Sequence, residues 1–319
     1  MIPRRVLAVM DDSDDQSALV SAAALADKHG AALEVLCCVE PPSDVGVIAR
    51  LAGHAPDEIL ATVRDARESH CRARLAALLP GRDVPFQVRT GKTFIEIIKH
   101  VIKRDCDFVV KQAEPLTGMH RMLFASTDQH LLRKCPKPVW LLTPDTAGLP
   151  RRVIAAVDVD IADADEPETL TGLNRRVIET ARLIAAPSDA QIVALHAWDA
   201  MGAGMVWAFS SQAEARVSAD AYMNEVLETR RAAMTRLLDG VGNGASDDLT
   251  PQLVQGPPED VIESQCRALQ ADVVVMGTVA RTGLSGVFIG NTAENIINSL
   301  ECPVVAVKPD GFISPLLQH

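Results

Sequence analysis

Aromatic side chains are scarce here: 3% of 319 residues, with one tyrosine, three tryptophans and seven phenylalanines. A core built from this chain is therefore aliphatic, since the total apolar share of 48% is ordinary. Paired cysteines are missing too. The seven cysteines are odd in number and never spaced C-x-x-C, and Cys37, Cys38, Cys106 and Cys302 sit in apolar runs. They read as small core residues in a reducing compartment, and no metal centre is expected. No apolar stretch approaches the roughly 18 residues of a membrane span. The opening MIPRRVLAVMDDS has too short an apolar run for a signal peptide. Positive charge is in deficit: the net charge of −11 opposes binding to nucleic acid or anionic lipid. These absences predict a cytoplasmic protein with no nucleic-acid partner and no membrane span.

What the chain does have is alternation. Strands are predicted over 4–10, 33–39, 84–89, 107–110 and 138–142, with helices over about 16–29 and 57–79, around Phe94, Ile97, Ile98 and Val101, and from Ser126 onward. From Arg151 the programme starts again. Arg151-Arg152-Val153-Ile154 repeats Arg4-Arg5-Val6-Leu7, Gly256 repeats Gly91, and 272–276 and 304–307 repeat the fourth and fifth strands. The chain is thus a tandem duplication. It divides into 1–145 and 150–310, each predicted as an α/β domain with a five-stranded parallel sheet.

The stretch from Gly277 to Ile297 reads as strand end, glycine-containing loop and helix start. Asn291-Thr292-Ala293-Glu294 has the spacing of a capping box. Such a loop aims backbone N–H groups and a helix dipole at one point, which suits a phosphate. On spacing alone the same residues equally serve a tight turn and a self-satisfied helix. Their position at the C-terminal edge of a parallel sheet, where Asp158 also falls, favours the ligand reading.

The strand ending in Val157-Asp158, Gly277 after the fourth strand, and Gly290-Asn291-Thr292 at a helix start resemble the universal stress protein family. The run 126–136 and the pair Met276-Gly277-Thr278 with 290–295 are similar to its tandem, type E group. The resemblance covers nearly the whole chain twice. It implies a Rossmann-like, nucleotide alpha-hydrolase-like fold, two domains packed on each other in place of a dimer of single domains, and ATP as a cofactor of the second half only. The nucleotide-binding candidates are then Asp158, Ala197, Gly277, Thr278, Ala280, Gly290, Asn291 and Thr292. Ala280 stands where the family's second glycine is expected, adding a Cβ where backbone approaches phosphate. Asn291 stands where Ser or Thr is expected. In the first half Asp11 and Ser126 survive, but Lys111 stands at the first glycine and Ala125 at the late one, so no typical ATP site is expected there.

His196, among apolar strand neighbours, reads as a hydrogen-bonded core histidine, and no constellation of His, Ser or Cys proposes catalysis. Met201, Met205, Trp207 and Phe209 form an almost uncharged segment, either a lid or the lining of an apolar, lipid-like ligand site. Three functions follow: a stress-response binding protein with a degenerate nucleotide site, an ATP-binding switch with weak hydrolysis, or a carrier of an apolar ligand. Self-association is left open.

Overall fold

A computed structural model describes residues 2–11, 17–114, 126–143, 146, 148–161, 164–199, 212–242, 249–279, 290–300 and 302–317. In the first half β1 (Arg5–Met10), β2 (Ala32–Val39), β3 (Phe86–Thr90), β4 (Phe108–Gln112) and β5 (Val139–Leu142) alternate with helices. These are α1 (Ser17–His29), α2 (Val45–Ala52), α3 (Pro56–Leu78), α4 (Thr93–Arg104) and α5 (Ser126–Lys134). The second half has β6 (Arg152–Ala156), β7 (Gln191–Trp198), β8 (Leu249–Gln255), β9 (Val273–Gly277) and β10 (Val304–Val307). Its helices are α6 (Pro167–Ala185), α7 (Gln212–Val241), α8 (Pro258–Leu269) and α9 (Asn291–Ser299). Among the described residues no helix is long and apolar enough to cross a membrane.

The repeat extends to individual hydrogen bonds. Asp107 Oδ2 accepts the N–H groups of Arg4 and Arg5 at 2.8 and 3.2 Å. Asp272 Oδ2 does the same for Arg151 and Arg152, at 2.7 and 2.8 Å. Each half's first strand is thereby registered on its fourth.

The two five-stranded sheets are one. Strand order is β3-β2-β1-β4-β5-β10-β9-β6-β7-β8, parallel within each half and antiparallel where β5 meets β10, with Trp140 opposite Val305. Both short strands are fully buried, so neither half has a free edge at the join. Because the join is antiparallel, the C-terminal strand edges of the two halves point to opposite ends of the sheet. One aliphatic core covers one sheet face under α1, α3, α6 and α7, and a second covers the other under α4, α5, α8 and α9; both run across the join.

The expected 57–79 helix is preceded by a separate one. Gly53 adopts φ 71° and closes α2, and Pro56 starts α3 where its missing N–H is unneeded. The long α7 had no sequence expectation; it buries Met234 and Leu237 in the core, with Ala233, Leu238 and Val241 packed beside them.

Candidate functional site

In the second half the chain leaves β6 for β7 on one side and returns to β9 on the other, so a crevice opens between the ends of β6 and β9. Ala156 pairs with Met276, and the two strands therefore deliver Asp158 and Thr278 side by side. The Asp158 turn is held by Asn174 of α6: its Oδ1 accepts the Asp158 N–H at 2.9 Å, and its Nδ2 donates to the Asp158 carbonyl at 2.6 Å. The Asp158 carboxylate in turn accepts the Asp160 N–H at 3.2 Å.

Behind this turn lies a charged cluster. Arg230 of α7 pairs with Asp160 through Nε at 2.9 Å and Nη2 at 3.1 Å, and its guanidinium lies over the Trp198 ring. His196 is 1% exposed, with Nδ1 3.2 Å from the Val157 carbonyl oxygen and Nε2 3.7 Å from Asp160 Oδ2. Burial pushes its pKa below the usual imidazole range, so it is a neutral, hydrogen-bonded core histidine, as its neighbours suggested. Asp158, Asp160 and His196 bring their ligand atoms within 4.8 Å of one another, the spacing of a cation site, but Arg230 already supplies positive charge to Asp160.

Gly277 ends β9 under α6. A Cβ there would meet Leu173 Cδ2 at 2.6 Å, so helix packing alone favours a glycine unless the leucine side chain shifts. Thr278 is fully buried; its N–H bonds the Val307 carbonyl, its carbonyl accepts the Gly290 N–H, and its Oγ1 accepts from Lys308 Nζ at 2.6 Å. It pins the base of the loop. Ala197 lies near the end of β7, paired with Val254.

The expected capping box does not form. Gly290 is the N-cap of α9, with no side-chain cap, and Asn291 is already the first helical residue. Glu294 is thus one position too deep to reach back, and its carboxylate pairs instead with Arg133 of α5, across the join. Asn291 and Thr292 are exposed. The first-turn N–H groups of α9 therefore have no N-cap side chain to accept them.

In the first half the register corrects one assignment. Val109 pairs with Val139 as Val274 does with Val304, so Gln112, not Lys111, stands at the Gly277 position; Lys111 matches Met276. The apolar run before each position differs by one residue in length. Lys111 is 2% exposed and donates to Asp128 Oδ1 at 2.9 Å and to the Gln112 carbonyl at 2.8 Å. Asp128, fully buried in the first turn of α5, also accepts the Glu114 N–H at 2.8 Å. The first half thus closes the end of β4 with its own ion pair, where the second half has Met276 and Ala293. Asp11 follows β1 at this edge and Ser126 opens α5.

Ala280 and the segment with Met201, Met205, Trp207 and Phe209 lie outside the described residues. Asn174, Asp160, Arg230, Asp128 and Lys308 went unnoticed in the sequence. Only Asn174 left a signal there, as a polar residue inside the apolar stripe of Leu173, Val177 and Ala181.

The architecture is that of a tandem, doubly wound α/β protein in which each half presents a switch-point crevice. A family model described as Universal stress protein family matches residues 3–143 and 153–308, and the chain belongs to that family. It is 30% identical over 237 residues to Universal stress protein E of Salmonella typhi and of Escherichia coli K12, covering 73% of this chain and 71% of each relative. Among solved structures it is similar to a functionally unknown protein of Pseudomonas aeruginosa PAO1, at 25% identity and TM-score 0.67 over 99% of this chain and 96% of that one. A universal stress protein of Archaeoglobus fulgidus, at 18% identity and TM-score 0.54 over 96% and 98%, shares the fold.

Proposed function

We propose that this is a cytoplasmic stress-response binding protein whose second half takes an adenine nucleotide in the crevice between β6 and β9, as a regulatory ligand and not as a substrate. The observation that carries the reading is the start of α9. With glycine as N-cap, no N-cap side chain accepts its first-turn N–H groups, and these groups with the positive dipole end would receive an anion at the crevice. Asp158, on the neighbouring strand end, would receive hydroxyl donors of the nucleoside. The first half is not the site, because its strand end is occupied by Lys111 and Asp128. Ala280 and Asn291 weaken the phosphate grip relative to the family's pattern, which makes the site a low-affinity one.

The test is thermal unfolding with ATP, ADP and AMP. A ligand at 100 times its Kd adds about 2.7 kcal/mol, a shift that Gly290→Trp should abolish; because Gly290 is buried, the ligand-free melting temperature of the variant is measured alongside to separate lost binding from lost fold. No shift with any nucleotide at millimolar concentration would sink the reading. Phosphate release that tracks the protein and vanishes in Gly290→Trp would replace the regulatory reading with a hydrolytic one.

A further inference from the structure

Two thiols in the second half touch. Cys266, in the last turn of α8, and Cys302, in the turn between α9 and β10, have their sulfurs 3.6 Å apart, within S–H···S hydrogen-bond range. All seven cysteines are thiols, and Cys266 is buried while Cys302 is half-buried. A disulfide needs about 2.05 Å between sulfurs, so oxidation has to draw together two sulfurs that already touch. Accessibility and hydrogen bonding give the pair different chemistry. The hydrogen bond shared with Cys266 holds the Cys302 thiol below its ordinary range, against burial, which raises it. Cys266 is pushed up by the same hydrogen bond and by burial. The thiolate therefore forms on the half-exposed sulfur, and the proton stays on the buried one.

The first half holds a built-in comparison. Cys37 on β2 and Cys71 on α3 are both 0% exposed. The Cys37 thiol is driven up by its hydrogen bond to Cys71 and by burial. That pair has no route to solvent.

We propose that Cys302 and Cys266 are a hydroperoxide-oxidised dithiol, with Cys302 as the attacking sulfur and Cys266 as the resolving one. The Cys302 thiolate attacks one oxygen of hydrogen peroxide; the O–O bond breaks, and the departing hydroxide takes a proton and leaves as water. Cys302 is then a sulfenic acid. The Cys266 sulfur attacks the Cys302 sulfur, the S–O bond breaks, and the hydroxyl leaves with the Cys266 proton as a second water. Two thiols are oxidised and one peroxide is reduced. The product staples α8 to the chain entering β10, the strand that joins the two halves.

The test treats the full chain with hydrogen peroxide, blocks remaining thiols with iodoacetamide under denaturing conditions, and maps unreduced peptides by mass spectrometry. The expected result is a Cys266–Cys302 cross-link, two hydrogens lighter than the separate peptides, with Cys37 and Cys71 alkylated. Cys266→Ser should stop at a sulfenic acid on Cys302, trapped by dimedone; Cys266→Ala serves if the serine hydroxyl disturbs folding. Cys302→Ser should leave Cys266 fully alkylated. The proposal is overturned if both cysteines stay alkylated at a peroxide dose that oxidises free glutathione, if Cys302 links to another cysteine, or if Cys266 oxidises equally in Cys302→Ser.

Discussion

Leu173 packs directly beneath Gly277: a Cβ on the glycine would lie 2.6 Å from Leu173 Cδ2 and 2.9 Å from Cγ. The glycine that most resembled part of a phosphate loop therefore has a packing reason of its own in the contact between α6 and β9. Gly277→Ala should cost about 1–3 kcal/mol, the usual range for overpacking. The double variant Gly277→Ala with Leu173→Ala should lose less than the sum of the two single losses, because the smaller leucine replacement relieves the clash. Urea unfolding of the four proteins in this cycle measures it. Strict additivity would mean that Leu173 is not what the new methyl meets.

The buried pair Lys111 and Asp128 offers a second test, because the repeat supplies its own apolar alternative. Asp128→Asn leaves the buried Lys111 ammonium without its carboxylate and should cost about 3–5 kcal/mol. Lys111→Met combined with Asp128→Ala reproduces Met276 and Ala293 of the other half. It should be neutral or stabilising by about 1–4 kcal/mol, since the desolvation of two charges is removed with their attraction. Chemical denaturation at neutral pH distinguishes the two variants. A double variant as unstable as Asp128→Asn would show that the pair is needed for the local fold itself.

The duplication was legible because buried parallel strands leave continuous aliphatic runs, and two series of five such runs in the same order admit few topologies. The join was not. Val139–Leu142 and Val304–Val307 carry the same apolar signature as any central strand, so nothing in them announces that each pairs with the other half. The same blindness to the other half undid the capping box: Asn291 and Glu294 have the right spacing, but Arg133 lies 161 positions away and draws Glu294 off. The Lys111 assignment slipped by one residue because an apolar run marks a strand without fixing its register. Of the crevice, Asp158 and Gly290 were readable from the sequence. Arg230 was not, being one arginine among several on a helix with little apolar patterning.

Glu34 should set part of the acid sensitivity. It is 3% exposed on β2 and meets Arg104 at 2.7 Å, Arg5 at 2.9 Å and His100 at 3.0 Å. Burial pushes its carboxyl upward, but Arg104, His100 and Arg5 together outweigh that and hold it below the ordinary 4.5. A carboxylate depressed in the fold contributes stability that is present above its unfolded pKa and lost as pH falls through the folded one. His100, held neutral by burial below its ordinary 6.5, adds a loss in the same direction that begins at higher pH. The urea midpoint should therefore decline below pH 6.5 and steepen below 4.5. Glu34→Gln should be less stable at pH 7 by about 3–5 kcal/mol and lack the steepening below 4.5. An unchanged acid limb in that variant would assign the loss to other carboxylates.

Lys308 should have the opposite pH signature, and it sits under the crevice. Its ammonium is 2% exposed, donates to Thr278 Oγ1 at 2.6 Å and lies 5.0 Å from the Phe312 ring centre. Burial pushes its pKa from 10.5 down to about 7. Between about 7 and 10.5 the unfolded chain holds this proton and the folded one does not, so stability rises with pH across that window. Below about 7 the cost of the buried charge is present in full. Lys308→Met removes it, and should stabilise the protein at pH 7 and below by on the order of a few kcal/mol. At pH 10 the gain should shrink, because the parent then buries a neutral amine. Paired urea titrations of the two proteins at pH 6, 7 and 10 test this, and titrating groups that do not interact with Lys308 cancel in the difference; the Cys135 thiol, which does, is removed as a variable by repeating the pair on a Cys135→Ala background. A difference that stays flat with pH would mean that the ammonium keeps its proton in the fold, with Thr278 and the Phe312 face stabilising it.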